Sequence, residues 1–168
     1  MKTRRLCAVI AATATLLGGM AFGVAGAQAA GTASIEVRHS QEGHTYTAYK
    51  FASLTPDGNA VQVDTDADWA TAVAAAVDAA NNAMTPAGSM PSEYDGNPAA
   101  FAATKTGDTD AAWFREFAGA MKAGQGAAAD GTATGAAATA SDKTVTIGSL
   151  DEGWYLVTDV KGDATFKT

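Results

Sequence analysis

Apolar and polar residues alternate one by one over residues 34–38, which places Ile35 and Val37 on one face of a predicted strand. Glu42-Gly43 then reads as a turn, and residues 44–51, His-Thr-Tyr-Thr-Ala-Tyr-Lys-Phe, resume the two-residue period. Tyr46, Ala48 and Lys50 fall on one face, with Thr45, Thr47, Tyr49 and Phe51 on the other. Both faces carry aromatic and β-favouring side chains, the pattern of a strand buried between two layers. Pro56-Asp57-Gly58-Asn59 predicts a turn, followed by a short strand over Val61-Gln62-Val63.

From residue 64 to about 122 the period changes from two to nearly four. Trp69, Val73 and Val77 recur with Ala76, Ala80 and Met84 beside them, predicting one amphipathic helix that Asn81-Asn82 and Pro86 end. Asp66 and Asp68 suit its start through capping and the helix dipole. Asn97-Pro98 predicts a second, short helix with a cap and a proline at its first position. Thr109-Asp110 opens a third, in which Trp113, Phe114, Phe117 and Met121 share a face and Gly124 is placed to stop the helix. Residues 123–142 are Gly, Ala and Thr with few large apolar side chains, and a mobile loop is expected there. Alternation returns over residues 143–147, and Asp151-Glu152-Gly153 turns into Trp154-Tyr155-Leu156-Val157-Thr158, the most β-favouring segment of the chain. Strands, a helical excursion and strands again predict a mainly β fold with helices inserted between its early and late strands.

The first thirty residues belong to a different chemistry. Lys2, Arg4 and Arg5 precede an apolar run free of charge, and Ala27-Gln28-Ala29 closes it with small residues at the cleavage spacing, so residues 1–30 read as a signal peptide and residues 31–168 as one exported domain. Removing the leader leaves eight basic residues against eighteen acidic ones, a net charge of −10. That charge repels nucleic acid and anionic lipid, so neither is an expected partner, and no membrane association is expected after cleavage. The single Cys7 lies in the leader, which leaves the exported part without a disulfide, a thiolate metal site or a cysteine nucleophile.

Catalytic and metal constellations are sparse. His39 and His44 flank a turn without a third ligand, and solvated turn histidines are the expectation. Asp64-Thr65-Asp66-Ala67-Asp68 begins like a calcium loop, but Trp69 stands where its glycine belongs and Ala75 where its acidic twelfth residue belongs. Pairs such as Asp108/Asp110 and Asp151/Glu152 suit solvated turns in an acidic protein. No enzyme activity, metal or cofactor is expected.

Two segments carry a resemblance. Gly43, Tyr46, Ala48, Tyr49 and Leu54 match the Gly-x-x-Tyr-x-Ala-Tyr-x-x-x-x-Leu pattern in the opening strands of the N-terminal domain of Gram-positive, sortase-assembled pilin subunits. Residues 152–159, Glu-Gly-Trp-Tyr-Leu-Val-Thr-Asp, resemble the Gly-x-Tyr-x-Val strand near that domain's end, and Asn97-Pro98 with the helix over residues 113–121 is similar to its helical insertion. The resemblance implies an immunoglobulin-like β-sandwich with two or three helices between early and late strands. It implies a fimbrial, cell-wall-associated structural and adhesive role, with other pilin subunits, a sortase and a host or bacterial receptor as partners. Residues 31–168 hold neither an LPxTG-like sorting signal nor a Tyr-Pro-Lys motif, so the likeness is to a first pilin domain that stops before those parts.

The same resemblance brings with it an internal amide bond of the kind that family often forms. Lys50 would be its amine, Asp159 its acceptor, and Glu152 or another carboxylate its assistant; the plainer reading of Lys50 is a stem that covers apolar surface. The alternative to a pilin-type protein is a free secreted carbohydrate-binding module, which requires Trp113, Trp154 or Tyr94 to gather on the solvent face.

Overall fold

The computed structural model describes residues 33–57, 60–107, 109–121 and 127–162. The signal-peptide reading of residues 1–30, the centre of the predicted turn at Gly58-Asn59, Asp108 and Gly124 lie outside them. Of the described residues about 35% are in strands and 30% in helices, so the fold is mixed α/β, with two sheets and three helices, where the sequence predicted mainly β.

Strand β2 (His44–Asp57) organises the molecule. The Tyr-, Phe- and Thr-rich run predicted to end near Phe51 continues as strand through Pro56, which pairs with Val61 in a hairpin with β3 (Ala60–Thr65). One edge of β2 pairs antiparallel with β6 (Gly153–Lys161), from His44↔Lys161 to Ser53↔Gly153. Its other edge takes β4 (Gly131–Thr134) along Thr45–Ala48 and β3 along Ala52–Asp57. A separate two-stranded sheet pairs β1 (Ala33–Val37) with β5 (Val145–Leu150), aligning Ile35 with Ile147.

Alternation along β2 and β6 gives the larger sheet two apolar faces, as the sequence predicted for a strand between layers. Tyr46, Ala48, Tyr155 and Val157 pack with Ile35, Ile147 and Leu150 of the smaller sheet. The opposite face supplies Phe51, Ala52 and Leu156 to a helical core. Phe51 is the extra residue where the β2–β6 register shifts between Lys50 and Ala52, which lets it and Ala52 enter the same core.

That core is built on α1 (Ala70–Ala83), α2 (Pro98–Ala103) and α3 (Ala111–Ala120), with a 3-10 turn at Ala67–Trp69 leading into α1. Trp69, Val73, Ala76, Val77 and Ala80 form the predicted stripe and are buried. Trp113 and Phe117 of α3 are also buried, while Phe114 is only partly covered. The start of α1 differs from expectation: Asp66 makes no side-chain cap, and its carboxylate instead accepts a 2.8 Å hydrogen bond from Ser53 Oγ on β2. Asn97 does cap α2 as predicted, accepting from Ala100 N. It also accepts from Thr65 N at 2.9 Å and donates to Val63 O at 2.8 Å, so one side chain ties the helix to β3.

The expected mobile loop over residues 123–142 is corrected in part. Residues 131–134 form β4, and residues 135–143 are fastened to the turn before β2. Gly135 N donates to His44 O at 2.8 Å, Ala136 N to the buried Ser40 Oγ at 3.0 Å, and Ser40 N to Lys143 O at 2.8 Å.

Candidate functional site

The polar residues singled out in the sequence lie on or beside the β2–β6 pair, and the register of that pair decides which of them meet. Lys50 is opposite Tyr155, whereas Asp159 is opposite Tyr46. Four residues of strand separate Lys50 from Asp159, about 13 Å at the usual rise of a strand. The structure therefore does not bring the expected amine and acceptor together. Glu152 is exposed in the turn between β5 and β6.

Lys50 Nζ instead lies 3.9 Å from Asp151 Oδ2, and its backbone N donates to Asp130 Oδ2 at 2.6 Å. The Lys50 stem crosses Gly153, where an added Cβ would come within 2.8 Å of Lys50 Cδ. Glycine is required there because Ala52 O approaches from the other side, 2.6 Å from the same position. The plainer reading expected the Lys50 stem to cover apolar surface; it is laid over the Gly153 backbone instead, with its charge at the rim. The Asp151 side chain is 56% exposed, so the contact is a wet ion pair and not the dry amine–acid pair that amide formation needs.

Tyr155 stands beside this cluster. Its hydroxyl donates to Asp151 O at 2.7 Å, and burial, reinforced by the negative fields of Asp130, Asp151 and Asp66, pushes its phenol up to about 12. A raised phenol means that the folded chain holds this proton more tightly than the unfolded chain, whose tyrosine titrates near 10. The contribution is intact below pH ~10 and is lost as pH rises from there through ~12. We expect chemical-denaturation stability to fall by about 2 kcal/mol over that window and Tyr155→Phe to flatten the fall. An equal alkaline slope in both proteins would show that the phenol is not its source.

The two histidines part company. His39 is exposed in the turn after β1, with φ at 57°, as a solvated turn residue. His44 is not solvated: its Nδ1 lies 2.6 Å from Asp159 Oδ1, with only 14% and 13% of the two side chains exposed. This pair fastens the start of β2 to the end of β6 across 115 residues. Neither the pairing nor the Tyr155 hydrogen bond has a local sequence signal.

Elsewhere, Arg38, His39, Asp142 and Lys143 border a shallow, open depression. The hydroxyl and N–H of Thr144 hold Asp142 below the usual carboxylate range, so this acid is engaged within its own loop. The aromatic residues proposed for carbohydrate stacking do not gather. Trp113 is buried, Tyr94 packs on Phe101, and Trp154 meets Phe51 edge-on. Among the described residues no group of three His, Cys, Asp or Glu side chains is placed to hold a metal ion, and no helix is long and apolar enough to cross a membrane. No protein-family model, curated protein or solved structure matches the chain.

Proposed function

We propose that this chain is a non-catalytic structural and adhesive protein of the cell surface, of the sortase-assembled pilin type, exported by its N-terminal leader. One observation carries the reading. The two segments that hold the pilin-like motifs are far apart in the chain, yet they become the paired neighbouring strands β2 and β6, with Ala48 opposite Val157 and Tyr49 opposite Leu156. The motif residues Tyr46, Ala48, Tyr155 and Val157 then share one core with the β1–β5 sheet. Two sheets facing each other across that core support the finer reading of an immunoglobulin-like β-sandwich, with α1 to α3 as an inserted helical layer. In this reading other pilin subunits and a sortase are the assembly partners, and adhesion to a host or bacterial surface is the outcome.

The test is an immunoblot of boiled, denatured cell-wall extracts from the producing cells, with antibody raised against residues 31–168. A ladder of very large species that survives detergent and heat is expected, because sortase-made links are covalent. A single small band in the medium would overturn the reading.

A further inference from the structure

Among the described residues, β6 is paired along one edge only, since all of its register partners belong to β2. A strand edge left open normally carries something that keeps other chains off: a proline, a lysine in mid-strand, a bulge or very short length. β6 has none of these. It runs nine residues, Gly-Trp-Tyr-Leu-Val-Thr-Asp-Val-Lys, without proline, and its one cation is the last residue. Its one acid, Asp159, is turned to His44, and the register shift in the pair falls on β2. Tyr155, Leu156 and Val157 are buried on the two faces, so both faces of the strand are held by its own molecule while, among the described residues, its outer edge has no strand partner.

We propose that β6 pairs antiparallel with β6 of a second copy of this chain, joining the two larger sheets into one across a two-fold axis. The occupant follows from what the strand offers in the register of full overlap, with Val157 on the axis. Thr158 then lies opposite the partner's Leu156, and Asp159 opposite the partner's Tyr155. On the helical side the half-buried Trp154 meets the partner's Val160, an aromatic–β-branched pair of the kind that stabilises neighbouring strands. On the other side Lys161 lies diagonal to the partner's Asp151, within reach of a long side chain, and that carboxylate is 56% exposed. No like charges stand opposite each other. The two-fold axis makes each contact twice and consumes both open β6 edges, so that edge closes at a dimer and does not propagate. The inference is independent of the adhesive reading, because it concerns the surface of one sheet and not how a fibre is linked.

The experiment is sedimentation of protein carrying residues 31–168, which contain every described element, from low micromolar to near-millimolar concentration. It is paired with hydrogen–deuterium exchange of the β6 amides. A concentration-dependent dimer is expected, with those β6 amides that do not bond to β2 becoming protected as it forms. Lys161→Glu should weaken the dimer roughly tenfold, because each of two contacts turns from attraction to repulsion. A monomer at every concentration overturns the proposal, including one whose β6 edge is protected by its own chain. So does a dimer that ignores Lys161→Glu or leaves β6 exchange unchanged.

Discussion

Trp113→Ala is expected to cost about 3–5 kcal/mol of unfolding free energy, a large part of what a domain of this size possesses. The indole is 2% exposed and stacks on Phe117, with ring centres 5.1 Å apart and planes inclined by 11°. Phe101 and Phe114 meet it edge-on at 6.2 and 5.3 Å. Truncation removes the shared wall of α1, α2 and α3, and helices this short cannot close the gap without leaving the sheet. A second loss is added to the cavity. Trp113 Nε1 donates to Asn81 Oδ1 at 2.8 Å, and Asn81 Nδ2 is already buried without a partner. Removing the indole leaves Oδ1 unsatisfied as well, and the added cost is the desolvation of that one acceptor. Trp113→Phe keeps most of the volume and removes only the donor, so it should cost about 1–3 kcal/mol. Urea denaturation of the three proteins separates the two terms, and a loss below about 1 kcal/mol for the alanine variant would contradict this account of the core.

Gly135→Ala is expected to be nearly as damaging, although it adds one methyl to a residue outside every strand and helix. A Cβ at this position would lie 1.8 Å from Gln41 O and 2.7 Å from Gln41 C, both backbone atoms that no rotamer change can move. To admit it, residues 135–143 must lift from the turn before β2. The bonds from Gly135 N to His44 O and from Ala136 N to Ser40 Oγ then go together. The expected loss is about 2–4 kcal/mol, typical of overpacking combined with broken buried hydrogen bonds. Gly148→Ala is the control, because nothing lies within 4 Å of its added Cβ. Thermal unfolding of both variants checks the prediction, and equal melting temperatures would refute the close approach.

How far the sequence could be read follows from which features are local. Ile35 and Val37, the run from His44 to Phe51, and the stripe from Trp69 to Ala80 all announce themselves by period, because a strand or helix with one buried face must repeat at its own geometry. The strand through Thr55-Pro56-Asp57 was hidden because those residues favour turns; Pro56 is accommodated beside the hairpin end. β4 was hidden for the opposite reason. Gly131-Thr132-Ala133-Thr134 has no large apolar residue, and it is small because the molecule is tight there: a Cβ on Gly131 would stand 2.6 Å from Ile147 Cγ2. That constraint lives in a residue sixteen positions away and leaves no periodic trace. Lys50 was legible as a lysine between aromatic neighbours, but its partner depends on register. The shift at Phe51, which no local rule announces, leaves Lys50 opposite Tyr155 and near Asp151, while Asp159 is spent on His44.

The pairing of β2 with β6 also sets the order of events when the chain is made. β2 begins twelve residues into the described chain and β6 is its last described strand, so their ladder joins positions such as His44 and Lys161, 117 residues apart. Closing a loop of that length carries an entropic cost before any contact repays it, and folds dominated by such pairings form slowly. A chain that emerges N-terminus first therefore exposes Tyr46, Tyr49 and Phe51 with one edge unzipped until the final strand is out. Neither core can be completed earlier, since each takes a wall from β6: Leu156 for the helical core, and Tyr155 with Val157 for the other. Both cores therefore close only once β6 has been made, and no earlier part of the chain carries either core complete.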